Sequence, residues 1–321
     1  MKLGVFTTLL SDKQLDEALA YFKSKGIEMV EIGCGGYPGN SHADPKKLLN
    51  DEKAFEEFKA TIEKYGLEIS ALSCHGNPVH PNKEIAADFD KTIKDTILLA
   101  EKLGLHQINT FSGCPGDCET AKYPNWVTCP WPNDFLDILD YQWNEVLIPY
   151  WKETVKFAKA HGVDKIALEL HPGFCVYNTD TLLKLREAVG PEIGANFDPS
   201  HLIWQGMAPV MCIRKMGDAI FHFHAKDTKI DKYNTAVNGV LDTKPYADEI
   251  NRSWIFRSVG YGNDATYWKD IISNLRMVGY DYAISIEHED SLMSQDEGLT
   301  KACEMLKDVL ITQSTGEMWW V

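Results

Sequence analysis

Eight short apolar runs, each followed by a stretch with helical spacing, restrict this chain to few architectures. The runs cover residues 3–7, 29–32, 68–73, 107–110, 165–169, 194–198, 220–224 and 282–287. A strand-then-helix alternation calls for a parallel sheet whose crossovers are helices packed outside it. Between the runs, apolar residues recur at helical spacing, as in Leu15, Ala18, Leu19 and Phe22. Five of these helical stretches close on a glycine just before the next strand, at Gly26, Gly66, Gly104, Gly162 and Gly279. Glycine at that place is the usual helix stop, because it alone takes the left-handed backbone turn without cost. Eight such units in 321 residues predict one α/β domain spanning 1–321, a single (β/α)8 TIM barrel.

Two connections, 111–140 and 228–262, are too long to be ordinary turns and follow strand C-terminal ends. They are expected as long loops over the C-terminal face, where barrels of this kind carry their sites. The first contains Trp126 and Trp131, whose faces could pack the loop or stack on a sugar ring.

Charge and composition narrow the partners. With 32 basic and 47 acidic residues the net charge is −15, a field that repels phosphate backbones, and no Lys/Arg cluster offsets it. Nucleic acid is therefore not an expected partner. No run approaches the roughly 18 apolar residues that cross a bilayer, and the N-terminus lacks a signal-peptide pattern. The eight cysteines show no CxxC pair, which fits reduced thiols and a cytoplasmic setting.

Chemistry concentrates where the strands end. The third run leads into Cys74, His75, Gly76 and Asn77, and the fourth into Phe111 and Ser112. The fifth closes on Glu169-Leu170-His171, the sixth on Asp198-Pro199-Ser200-His201, the seventh on His222-Phe223-His224-Ala225-Lys226, and the eighth on Glu287-His288-Glu289-Asp290. Parallel strand ends in a barrel converge on one mouth, so these groups share a small volume. One acid at a strand end is as readily the cap of the next helix. Glu169 and Glu287, however, end apolar runs, and a buried carboxylate must be paired or bind a cation. The predicted metal ligands are Glu169, Asp198, His224 and Glu287, an oxygen-rich set suited to Mn²⁺, with Mg²⁺ or Co²⁺ as substitutes. His222, two residues before His224, is expected below it.

The ordered segments LELHPG, NFDPSH, FHFHAKD and ISIEHED resemble the sugar phosphate isomerase/epimerase superfamily, with its xylose isomerase-like barrel. The resemblance covers nearly the whole chain. It implies one divalent ion on the four residues above, with Glu169 and Glu287 also acting as the acid/base pair on opposite faces of the substrate. It further implies that His201 and an arginine after the seventh strand contact substrate oxygens; Arg257 is the candidate and Arg252 the fallback. Proton abstraction next to a carbonyl is chemistry that such a site can run, since nearby positive charge stabilises the developing enediolate. The expected function is thus a metal-dependent sugar isomerase or epimerase, with His75, His201, Lys226, Arg257 and Trp131 binding substrate and His171 as a further catalytic group.

The superfamily's endonuclease branch needs additional histidines after the seventh strand, and this chain has none between His224 and Glu287. An alternative branch is favoured by SCHGNP and NTFSGCPG, which resemble barrels acting on 3-keto-glycosides. Among these are C-glycoside deglycosidases that join a barrel subunit to a small β-protein. There the proton abstraction is followed by loss of a leaving group, with His75 or His171 as base or acid. The expected partners are a sugar or glycoside and either a second copy of the chain or such a β-subunit. The apolar tail at Met318, Trp319 and Trp320 offers one place to meet it.

Overall fold

The structure, a computed structural model, describes residues 1–314 and 316–321. Its strands are β1 (Lys2–Phe6), β2 (Met29–Gly33), β3 (Glu68–Ser73), β4 (Gln107–Thr110), β5 (Lys165–Glu169), β6 (Ile193–Phe197), β7 (Ile220–Ala225), β8 (Asp227–Ile230), β9 (Trp254–Arg257) and β10 (Ala283–Ile286). Eight of them close a barrel in the order β1-β10-β7-β6-β5-β4-β3-β2. The barrel pairings are all parallel, and β1 against β10 closes the ring from Lys2↔Ala283 to Val5↔Ile286. This is the (β/α)8 TIM barrel that the alternation of runs and helices demanded.

The five glycine stops all have positive φ, between 57° and 87°. Each terminates its helix before the next strand, as at Gly104, where the cap N–H returns to the Ala100 carbonyl. Two helices begin well before the apolar residues that announce them. The helix read from Phe89 starts at Lys83, under an Asn82 side-chain cap, and the one read from Val155 starts at Ile148.

Strand alternation sorts the residues by face. Val30, Ile32, Leu72, Ile108, Ile166, Leu168, Phe197, Phe223 and Ile284 join the helices' apolar stripes in one continuous core. The alternate positions turn inward and are mostly polar: Glu31, Ser73, Asn109, Asn196, His222, His224 and Ser285 are all fully buried. A barrel interior is more often filled by branched aliphatic side chains. Here it is a hydrogen-bonded network, and it sits directly under the strand ends.

The segment 228–262 is not a plain loop. It holds an antiparallel pair, β8 with β9, in the register Asp227↔Arg257 to Ile230↔Trp254, and a helix at Lys232–Asn238. A small apolar cluster of Trp204, Trp254 and Phe256 fixes it to the barrel, with the two indoles stacked at 4.6 Å. Asp227 anchors its base. Its carboxylate accepts the backbone N–H groups of Thr228, Gly260, Gly262 and Asn263, the Asn263 side-chain amide and the Trp268 indole N–H. The segment 111–140 has no regular element before the helix Asp134–Asp140, and the chain continues helically to Ala160.

Candidate metal centre

Glu169 is the last residue of β5, His224 the fifth of β7, and Glu287 the first residue beyond β10. Asp198 follows β6 and caps the helix Pro199–Trp204, its Oδ1 accepting the Ser200 N–H at 2.8 Å. It is therefore both a cap and a member of the ring, two readings that exclude each other only if one oxygen must do both tasks. One donor atom from each of Glu169, Asp198, His224 and Glu287 lies within 4.8 Å of all the others. His224 Nδ1 stands 3.1 Å from Glu287 Oε2 and 3.5 Å from Glu169 Oε2. The first three side chains are buried and Glu287 nearly so.

Three carboxylates at such distances repel one another, and two cationic groups hold them. Lys226 Nζ lies 3.0 Å from Asp198 Oδ2, 2.8 Å from Glu287 Oε2 and 2.9 Å from Glu289 Oε2. Burial opposes the charge on Lys226, yet Asp198, Glu287 and Glu289 outweigh it and hold the ammonium protonated. His224 is likewise buried, but Glu31 and Glu287 raise it well above the ordinary histidine value. Burial pushes Glu287 up, while Lys226 and His224 bring it down to about 2. Asp198 goes the other way: burial, reinforced by Glu169 and Glu287 against the pull of Lys226, raises it to about 7. Its Oδ2 makes no aligned hydrogen bond, although Lys226 is close. A buried, under-satisfied carboxylate oxygen facing two more carboxylates and an imidazole is a donor set that fits a hard divalent cation.

Around the ring stand the other expected site residues. His75 Nε2 is 3.0 Å from Glu169 Oε2 but off the hydrogen-bonding line, and neither of its ring nitrogens has a partner. His201 Nε2 reaches Glu169 Oε1 at 3.2 Å and Asp198 Oδ2 at 3.3 Å. Burial, with His171 and Lys226 beside it, lowers His201 to about 3, so the ring is neutral. His171 packs against His201 with centroids 4.1 Å apart and the rings tilted by 55°, and it donates Nδ1–H to the Pro172 carbonyl at 2.6 Å. His222 lies beneath, between Asn196 and Ser70.

Above the ring opens a cleft of about 340 Å³ whose lining includes Phe6, Tyr37, His75, Phe111, His171 and Lys226. A second cleft of about 470 Å³ shares His171 and Glu289 with it and is otherwise lined by Tyr246, Ile255, Phe256 and Ser291. Gly36 matters to the first: at φ +69° a Cβ there would sit 2.1 Å from the His75 carbonyl oxygen. That close approach lets Tyr37 N–H bond the same carbonyl at 2.8 Å, fixing the two cleft residues together.

Three of the expected substrate-binding residues stand away from the ring and from both clefts. Arg257 points to Asp290, with Nε 3.0 Å from Oδ2, and lines neither cleft. Arg252 is buried in the insertion, bonding the Trp254 and Lys244 carbonyls. At the ring it is a lysine, Lys226, and not an arginine that stands beside the carboxylates. Trp131 is 73% exposed on the 111–140 segment and lines neither cleft; the aromatic walls are Phe6, Tyr37, Phe111, Tyr246 and Phe256. Sequence reasoning also missed Glu31 altogether. The signal was there, a lone acid inside the apolar run MVEIG, but Glu31 lies mid-strand and not at a strand end.

A closed parallel barrel with this ring at its C-terminal mouth defines a class, and the chain belongs to the xylose isomerase-like TIM-barrel family, which it matches over residues 19–309. Among its relatives, the uncharacterized protein YfiH of Bacillus subtilis (strain 168) is 41% identical over 312 residues, 97% of this chain and 99% of that one. The inosose dehydratase of Mesomycoplasma hyopneumoniae (strain J) is 24% identical over 227 residues, 70% of this chain and 65% of the dehydratase. Two solved structures share the fold at low identity. The IolI protein with a bound zinc atom has a TM-score of 0.65 at 18% identity, covering 97% of this chain and 98% of its own. A D-tagatose 3-epimerase-like protein has 0.63 at 22%, covering 96% and 98%.

Proposed function

We propose that the chain is a divalent-metal-dependent enzyme that removes a proton next to the carbonyl of a sugar, as an isomerase or epimerase. The observation that carries this reading is the convergence of four ligand-type donors, from four strands, at the floor of a cleft large enough for a sugar. Relatives named as an inosose dehydratase and an epimerase-like protein support it. Glu169, Asp198, His224 and Glu287 would hold the ion. Once bound, a divalent ion polarises the carbonyl and stabilises the negative charge that deprotonation creates.

The chain's own groups do the remainder. Burial opposes the charge on Glu169, but His201 and His75, with His224 behind them, keep it ionised, so it can accept a proton. Glu287, on the other side of the ring, exchanges one on the opposite face. Neutral His201 and His171 present N–H or lone pair to hydroxyl groups, and Lys226 donates to an oxygen. Phe6 and Phe111 supply apolar walls to the cleft in which the sugar would sit. Mn²⁺ is the first ion to test, with Mg²⁺ and Co²⁺ beside it.

Elimination from a 3-keto-glycoside is the second reading, and the second cleft favours it. That cleft begins at His171 and Glu289, where a leaving group would depart, and continues over Phe256 and Tyr246. Incubation with free ketoses and with 3-keto-glucosides, in D₂O with Mn²⁺, tests both. Deuterium in an intact ketose supports epimerisation, and release of an aglycone supports elimination. Neither event across the panel, with the ion bound, would overturn the proposal.

A further inference from the structure

We propose that Glu31, a residue outside the ring, is a positioning residue that sets which nitrogen of His224 faces the metal; this inference rests on the metal reading above. Glu31 lies mid-strand in β2 and is fully buried. Its Oε1 accepts from Asn109 Nδ2 at 2.9 Å and from the Ser73 hydroxyl. Its Oε2 accepts from the Ser285 hydroxyl at 2.9 Å and lies 2.8 Å from His224 Nε2. Donors thus arrive from β3, β4, β7 and β10, so that four strands aim at one carboxylate across the barrel interior.

A carboxylate surrounded in this way can only accept. At 2.8 Å, His224 Nε2 must therefore carry the hydrogen that points at it. The competing neighbour is Asn196, whose Nδ2 is 3.1 Å from the same nitrogen. Its amide can turn to suit the imidazole, whereas the carboxylate cannot change its role. A hydrogen bond to a charged group is also the stronger of the two. With the hydrogen fixed on Nε2, the lone pair of neutral His224 sits on Nδ1, the nitrogen that faces Glu169 and Glu287. Glu31 also restrains the ring's rotation, so the ligand is oriented before an ion arrives.

Glu31→Gln keeps the shape and removes the obligation. The new amide can present its NH₂ to Nε2, which moves the imidazole hydrogen to Nδ1, where it blocks the ion. Titration calorimetry of the full-length chain with Mn²⁺ should show affinity falling roughly 10–100-fold in Glu31→Gln. Ser285→Ala, which removes a donor to the same oxygen but leaves the charge, should stay close to wild type. Co²⁺ absorption of the two variants should separate in the same way. Wild-type affinity in Glu31→Gln overturns the role of Glu31 while leaving the metal centre standing. A wild-type chain that binds no divalent ion overturns both. Should Glu31→Gln fail to fold, ¹⁵N-histidine NMR of the zinc-loaded wild-type chain decides the matter. Zinc on Nδ1 with Nε2 protonated is expected, and zinc on Nε2 overturns the inference.

Discussion

Lys226 shows how single residues set the stakes at this site. It is buried among Asp198, Glu287 and Glu289, and removing one partner of a buried ion pair leaves the other charge unpaired. Lys226→Met should therefore destabilise chelator-treated protein by about 3–5 kcal/mol in urea unfolding. Saturating Mn²⁺ should narrow that gap, because the ion supplies positive charge to the same carboxylates. An equal loss with and without the ion would contradict the shared-charge account. The four ring residues were legible in the sequence because acids and an imidazole stood at successive strand ends. Glu31 was not, since a carboxylate in mid-strand reads as an interruption until its four donors are seen. Arg257, expected at the substrate from the resemblance, is paired with Asp290 in the structure, a partner that chain order does not reveal.

At the scale of elements, the insertion between β7 and β10 is the part that differs most from expectation. Its strands are four residues each and its helix buries nothing, so neither alternation nor helical spacing was long enough to announce them. What holds it is local. Asp242 accepts N–H bonds from Ser253 and Lys244, and although burial pushes its pKa up, these bonds bring it from 3.8 down to about 2. A carboxylate depressed on folding contributes stability above its unfolded pKa and loses it as pH falls through the folded one. Asp242→Asn should therefore lower the Tm near neutral pH, and the difference from wild type should shrink between about pH 4 and pH 2. A difference that does not change with pH would show that the packing matters and the charge does not. The barrel elements, by contrast, were legible nearly to the residue, because five of the eight barrel strands follow a glycine stop and most run into a polar cluster.

For the whole molecule, the arrangement is a chain of dependence from outside to inside. Helices cover the apolar face of the strands, the strands hold a polar interior, and that interior orients the ring. On the proposed function, an ion bound to the ring would stabilise the entire fold, by about 2.7 kcal/mol at a hundred times its dissociation constant. Calorimetric melting with and without Mn²⁺ should differ by about 4 °C for a chain of this size. No shift at saturation would mean that the ion does not prefer the folded form. Fold class was readable at this scale because alternation is a property of the whole chain; the polar interior was not, because it needs inward and outward positions to be told apart.

The Asp227 anchor has an evolutionary consequence. All its hydrogen bonds but one run to the two ends of the insertion, residues 228 and 260–263, and the exception ties it to Trp268 in the helix that follows. What lies between those ends supplies Phe256 and Tyr246 to the second cleft but none of the four ring residues. The barrel thus offers a socket, and the insertion is a cassette plugged into it. On the proposed function, replacing the cassette would exchange the substrates admitted while the proton chemistry stayed in place, so that new sugars could be tried without rebuilding the catalyst.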